Sequence, residues 1–200
     1  MNAVEKKKII TALKYTWPFY LISAIAIPLI MNVVFGVTHK VPGYKSLTIF
    51  VSGEVTDTNK LRNDMLETYK EKELKTFSCI SAKPTDSTYD TKLSVPGYNT
   101  SDILIMPASK LNSVKVSAFA LNLSDELINS YYAGYSLFAQ EEVNYGIKID
   151  KEKVKEYMTL PDEECYLILN GKSVNLGEYS IKQPVKEHDT ALNVVKDWGM

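Results

Sequence analysis

A buried strand that ends in a turn is predicted by the stretch Leu47-Thr48-Ile49-Phe50-Val51-Ser52-Gly53. Its first five residues are β-branched, aliphatic or aromatic, and Ser52-Gly53 is typical of a turn. A second strand is predicted at Lys75–Ile80, where apolar and polar residues alternate. Two strands within about 35 residues, with a helix between them, form a βαβ unit, for which a parallel sheet is the default.

The helix of this unit is expected to begin near Thr58. Leu61, Met65 and Tyr69 recur every fourth residue among charged neighbours, which is the pattern of one buried helix face. Asp57 or Thr58 is expected to cap its amino end, because short polar side chains accept hydrogen bonds from the first free N–H groups.

The remaining segments extend this unit into one domain. Strands are predicted at Ile103–Met106, Val116–Leu123 and Tyr166–Leu169, with a hairpin in residues 135–149 around Gln140-Glu141-Glu142. Helices are predicted after Ser124, at Lys151–Met158 and at Asp189–Trp198. Residues 83–101 are polar, and they predict a functional or mobile loop unless a short helix lies within them. The expected fold class is α/β or α+β, with a mixed, partly parallel sheet and flanking helices.

Upstream, residues 15–38 carry no charge over 24 consecutive positions. A helix needs roughly 20 such residues to cross a bilayer core, so one transmembrane helix is predicted. It is longer than the apolar core of a cleaved secretory signal, which is about 7–15 residues and is the alternative interpretation. Pro18 is expected to open the helix and Pro28 to kink it.

The flanking charges predict the orientation of this segment. Lysines precede it at positions 6, 7, 8 and 14, whereas His39, Lys40 and Lys45 follow it. Positive charge stays in the cytoplasm, so we expect a signal anchor in the cell membrane. The predicted regions are a cytoplasmic basic segment (1–14), the transmembrane helix (15–38), a tether (39–46) and an extracellular domain (47–200).

Composition excludes several classes of function. The net charge of −1 combines five lysines and one acid in residues 1–40 with 18 basic and 23 acidic residues afterwards. An acidic extracellular domain argues against nucleic-acid binding. Arg62 is the single arginine, which excludes a phosphate clamp made of several arginines.

Catalytic and cofactor motifs are missing from the sequence. His39 and His188 are the two histidines, no Gly-rich phosphate loop occurs, and the acidic runs join sequence neighbours whose side chains point apart. We therefore expect no enzyme activity, no cofactor and no metal site. Cys79 and Cys165 are the two cysteines, and an extracellular location permits a disulfide between them as well as two separate thiols.

The order of motifs resembles one lobe of bacterial extracellular (type II) solute-binding proteins of ABC importers. The resemblance lies in Leu47–Gly53 with the helix after it, in Ser101-Asp102-Ile103-Leu104-Ile105-Met106-Pro107, and in Ala118–Ser124. It implies a ligand surface at the carboxyl ends of strands, formed by Ser52, Gly53, Glu54, Met106, Pro107 and Ser109. Those receptors have two lobes, and a single lobe cannot close on a solute by hinge motion.

Three functions are compatible with an anchored extracellular domain of this kind. The first is an accessory or docking subunit of an ABC-type transport complex, held by the bilayer and by a multi-span membrane partner. The second is a stand-alone surface receptor for a small solute or peptide, with residues 83–101 as its lid. The third is an envelope scaffold or assembly factor.

Overall fold

The structure is a computed structural model that describes residues 3–38 and 41–200. Residues 1–2 and 39–40, which begin the predicted basic segment and the predicted tether, lie outside the described residues. The chain divides into two compact units, the first of which is the amino-terminal helix and the second of which begins at Val41.

The first unit is helix α1 (Ala3–Thr38), 36 residues long. Its segment Lys14–Gly36 has a mean hydropathy of 2.1 and is long and apolar enough to cross a membrane. Pro18 and Pro28 both lie inside the helix. The prediction that Pro18 opens it is wrong, because the residues from Ala3 onward are already helical and Pro18 lies beyond the first turn, where its missing N–H would cost nothing.

The second unit is built on a mixed sheet. Its strands are β1 (Ser46–Ser52), β2 (Glu54–Val55), β3 (Thr76–Ala82), β4 (Ile103–Pro107), β5 (Leu137–Gln140), β6 (Val143–Lys148), β7 (Met158–Thr159) and β8 (Cys165–Leu169). Six of them form one sheet in the order β3-β1-β4-β8-β6-β5, and β2 pairs with β7. β1 is parallel to β3 and β4, whereas the other pairs are antiparallel. The predicted α/β class with a partly parallel sheet is confirmed.

Short helices flank the sheet. They are α2 (Thr58–Thr68), α3 (Tyr89–Lys92), α4 (Tyr98–Thr100), α5 (Ala108–Ser113), α6 (Asp125–Tyr131), α7 (Lys151–Val154) and α8 (Thr190–Trp198). Single turns of 3-10 helix lie at Gly43–Lys45, Lys70–Lys72, Val116–Ala118 and Gly177–Tyr179, and a π turn lies at Leu93–Gly97.

β1 is buried on both faces because helical connections cover both sides of the sheet. Leu47, Ile49 and Val51 pack in one apolar cluster with residues of α2 and α8. Phe50 points to the other face and packs with residues of α3 and the π turn. The two connections that follow β1 and β3 therefore lie on opposite faces, since successive strand residues point in opposite directions.

Several predicted elements are confirmed with their local causes. Asp57 caps α2 by accepting the Lys60 N–H at 2.8 Å. Ser124 caps α6 by accepting the Leu127 N–H at 3.3 Å. β5 and β6 form the predicted hairpin, and the amphipathic α8 buries Trp198.

Of the two predictions for residues 83–101, the alternative of a short helix within the segment is confirmed, and the uninterrupted loop is wrong. The segment contains α3, the π turn and α4, and it connects β3 to β4 across one face of the sheet. Tyr89 and Leu93, four residues apart, are buried against the sheet, so an apolar stripe lies among the polar residues. A segment anchored in this way does not match the mobile lid of the receptor hypothesis.

Two further predictions need correction. Val116–Leu123 is not a strand, because the Gln140 amide oxygen accepts the Val116 N–H at 3.0 Å and its amide nitrogen donates to the Val114 carbonyl at 3.0 Å. The Gln140 side chain thus supplies backbone hydrogen-bond partners that a neighbouring strand would otherwise provide. The helix predicted at Lys151–Met158 ends at Val154, since Met158 pairs with Val55 in the small sheet.

Candidate functional site

A cleft lies where β1 and β3 end, at the carboxyl edge of the parallel strands. It has a volume of about 390 Å³ and is lined by Gly53, Glu54, Lys83, Pro84, Thr85, Thr159, Leu160, Pro161 and Glu163. Ligands of open α/β sheets bind at this edge. The cleft is therefore the candidate site.

Gly53 lets the chain turn between β1 and β2 at the base of the cleft. Its N–H is shared between the carbonyls of Val51 and Ala82, each at 3.0 Å. A Cβ at this position would lie 2.4 Å from the Thr159 carbonyl oxygen. The close approach of β7 to the end of β1 therefore requires glycine.

One ion pair crosses the cleft. The Lys83 ammonium lies 2.6 Å from the Glu54 carboxylate, and both side chains are more than half exposed. Its hydrogen bond to Glu54 raises the pKa of Lys83. Exposed pairs of this kind contribute little to stability, so both charges are available to a ligand.

Glu163 closes one side of the cleft by binding Ser109. Its carboxylate accepts the Ser109 N–H at 2.9 Å and the Ser109 hydroxyl at 2.7 Å. The first of these bonds satisfies the second N–H of α5, so Ser109 meets the cleft through Glu163.

The structure separates the six predicted ligand residues into two groups. Gly53 and Glu54 line the cleft, and Ser109 touches its wall. Ser52 is buried, with its Oγ 2.7 Å from the Tyr89 hydroxyl. Met106 and Pro107 are buried in β4, opposite Tyr166 and Cys165 of β8.

Sequence reasoning missed the other half of the cleft. Lys83 and Pro84 directly follow β3, which ends two residues beyond the predicted second strand, and the rule that ligands gather at carboxyl ends of strands points to them. Thr159, Leu160 and Pro161 reach the site through the pairing of two-residue strands β2 and β7. Strands of two residues carry no periodic pattern that would predict this pairing.

The two cysteines are free thiols. Cys79 lies in β3 and Cys165 in β8, with β1 and β4 between them. Three strand spacings amount to about 14 Å, which is beyond the reach of a disulfide. In this structure the alternative of two separate thiols holds.

The described part of the chain holds no group of three or more His, Cys, Asp or Glu residues that could bind a metal ion. His188 stacks on Tyr44 with ring centroids 3.8 Å apart, and neither residue lines the cleft. The cleft thus presents apolar walls and one exposed ion pair, an arrangement suited to binding. No protein-family model matches the chain, and no curated protein matches it either.

Proposed function

We propose that this chain is a non-enzymatic, membrane-anchored protein whose α/β domain lies outside the cell and serves as a docking subunit of an ABC-type transport complex. The observation that carries the proposal is the 23-residue apolar segment Lys14–Gly36 of α1, in which no residue of described burial is buried. In water such a surface would be costly, whereas in a bilayer it is matched by lipid. The lysine-rich side stays cytoplasmic.

Pro28 in α1 is an argument for contact between this helix and other transmembrane helices. Pro28 lacks an N–H, so the Ala24 carbonyl loses its usual helical donor in the middle of the segment. An unpaired carbonyl is costly in lipid, and neighbouring helices commonly supply the missing donor. A multi-span partner that donates to Ala24 would thus hold the anchor.

The membrane anchor is tested first by alkaline extraction of membranes and by the mass of the full-length protein. We expect the full-length protein to remain in the membrane after an alkaline wash and to keep its intact mass. Protease added outside intact spheroplasts should digest the domain that begins at Val41. A shortened protein in the soluble fraction would show that the amino-terminal segment is a cleaved signal.

Docking is tested by purification from native membranes in a mild detergent. We expect a multi-span protein to co-purify in a fixed ratio, and Pro28→Ala to reduce that ratio because it restores the helical donor to Ala24. Gly36→Ala is the matched control, since a Cβ at Gly36 meets no atom within 4 Å. Recovery of the chain alone would contradict the docking proposal.

A second candidate function, a surface receptor for a small solute or peptide, is supported by the cleft. Its volume of about 390 Å³ falls within the usual range for small-molecule sites, about 300–1,000 Å³. A short peptide would place apolar side chains against Pro84 and Leu160 and its charged ends near Glu54 and Lys83. We expect dipeptides to raise the melting temperature of the full-length protein, and Lys83→Gln to weaken this effect more than the exposed control Lys115→Gln. No shift with any dipeptide would exclude a peptide as the ligand of this receptor.

A further inference from the structure

A second cavity lies at the opposite edge of the sheet, where β1 and β4 begin and β8 ends. Its volume is about 220 Å³, and its lining includes Ser46, Thr48, Asp102, Lys172 and Lys182. It shares no lining residue with the carboxyl-end cleft. We call it the amino-end cavity.

The floor of the amino-end cavity is the Asp102 carboxylate, in a residue that is 8% exposed. Asp102 Oδ1 accepts the Ser173 hydroxyl and the Asn175 side-chain N–H, the latter at 3.1 Å. Oδ2 accepts the Thr48 backbone N–H at 2.8 Å. A carboxylate oxygen accepts two hydrogen bonds, so Oδ2 keeps one acceptor position.

This carboxylate has no cation in contact with it. Among the described residues no Lys, Arg or His lies within ion-pair distance of Asp102. Burial raises the pKa of Asp102, whereas hydrogen bonds from Ser173, Thr48 and Asn175 and the more distant charge of Lys182 oppose that shift only in part. A buried carboxylate gains most from a ligand that brings a positive charge.

The rim of the amino-end cavity carries the opposite charge. Lys182 forms no ion pair in the described part of the chain, and the Lys172 ammonium donates to the Asn99 amide oxygen at 3.4 Å. The hydroxyls of Ser46 and Thr48 likewise bond to no other described residue. The cavity therefore offers one acceptor at its floor with cationic and hydroxyl donors around it.

We propose that the amino-end cavity binds a small α-amino acid such as glycine or serine. The ligand ammonium meets Asp102 Oδ2, and the ligand carboxylate meets Lys182 and the hydroxyls of Ser46 and Thr48. An inorganic anion lacks the positive charge that the buried carboxylate calls for. A ligand with a large apolar side chain would have few apolar contacts, because Val174 supplies the one aliphatic side chain in the lining of the cavity.

The test is calorimetric titration of the full-length protein in detergent with L-serine and glycine. We expect saturable binding, with ethanolamine, which lacks the carboxylate, and hydroxypropionate, which lacks the ammonium, at least about tenfold weaker. Lys182→Gln should weaken serine binding by about tenfold, since one charge-assisted hydrogen bond is lost. Lys186→Gln, an exposed lysine of the same loop that does not line the cavity, should leave binding unchanged.

Because Lys182 is exposed and makes no ion pair, its replacement leaves folding intact and the test remains interpretable. Absence of saturable binding up to about 10 mM serine or glycine would overturn the proposal. Binding that Lys182→Gln leaves unchanged but Lys83→Gln abolishes would overturn it too, since the ligand would then occupy the carboxyl-end cleft. Neither result depends on whether the protein docks to a transporter.

Discussion

The Ser52 hydroxyl lies 2.7 Å from the Tyr89 hydroxyl, in a buried hydrogen bond that joins the end of β1 to α3. Ser52 is 0% exposed and Tyr89 is 1% exposed, so water cannot replace either partner. Burial raises the pKa of Tyr89, which keeps the phenol neutral. Together with the apolar packing of Tyr89 and Leu93, this bond fixes the helical connection after β3 against β1.

Removal of the Tyr89 hydroxyl should destabilise the protein. Tyr89→Phe leaves the Ser52 hydroxyl buried without a partner, which costs about 1–3 kcal/mol. Chemical denaturation of the full-length protein in detergent, followed by tyrosine fluorescence, gives the change in free energy of unfolding. A change below about 0.5 kcal/mol would show that the bond contributes nothing.

Tyr98→Phe is the matched substitution with the opposite expected sign. The Tyr98 hydroxyl is buried and has no hydrogen-bond partner among the described residues, whereas its ring stacks on Phe119 at 4.2 Å. Phenylalanine keeps the stacking and removes an unsatisfied polar group, so we expect a gain of about 1 kcal/mol in the free energy of unfolding. A loss of stability in this variant would mean that the hydroxyl binds water or another group.

Gly53→Ala should disturb the base of the carboxyl-end cleft. The added Cβ would lie 2.4 Å from the Thr159 carbonyl oxygen, which is backbone and cannot rotate away. We expect a loss of about 1–3 kcal/mol in the free energy of unfolding, as for other overpacked sites. In Gly171→Ala the nearest atom to the new Cβ lies at 3.5 Å, so that variant should stay close to the wild type. Equal melting temperatures for the two variants would contradict the close approach of β7.

The stability contributed by Asp102 should depend on pH. Burial raises its pKa in the folded protein, whereas in the unfolded chain it titrates at about 3.9. Its contribution is therefore greatest below the unfolded pKa and is lost as the pH rises through the folded pKa. We expect the melting temperature of the wild type minus that of Asp102→Asn to decrease as the pH rises above the unfolded pKa of about 3.9. A difference that is constant or that widens would contradict this sign.

The thiols should be unreactive in the folded protein. Burial raises the pKa of Cys79 to about 12 and that of Cys165 to about 11. Because the thiolate is the nucleophile, iodoacetamide at neutral pH should label neither thiol quickly. Unfolding without reductant should expose both, and mass spectrometry should then find two labels. No label under those conditions would mean that the two cysteines form a disulfide.

Much of the local structure was predictable from short stretches of sequence. Asp57 and Ser124 cap α2 and α6 as their positions predict, because a capping bond spans only three residues. The strand at Leu47–Val51 was predictable because strand burial follows from the composition of the strand itself. Gly53 and Glu54 were predictable members of the cleft, since they follow that strand directly.

Residues 83–101 show where local patterns mislead. Their prolines and polar residues are typical of a loop, yet Tyr89 and Leu93 pack beneath them against the sheet. The apolar stripe formed by Tyr89 and Leu93 can be recognised only when the face of β1 that it covers is known. Val116 illustrates the same limit, because its backbone partner is the side chain of Gln140, 24 residues away.

The order and composition of residues in this chain were enough to indicate an apolar amino-terminal helix, an acidic domain of strands and helices, and the lack of histidine-based catalytic motifs. Three-dimensional packing was needed for the strand order, for the β2–β7 pair that walls the carboxyl-end cleft, and for the donors around Asp102 from Ser173 and Asn175. The difference is one of range along the chain. Propensity and capping depend on neighbours a few residues apart, whereas sites form between segments that meet only after the chain has folded.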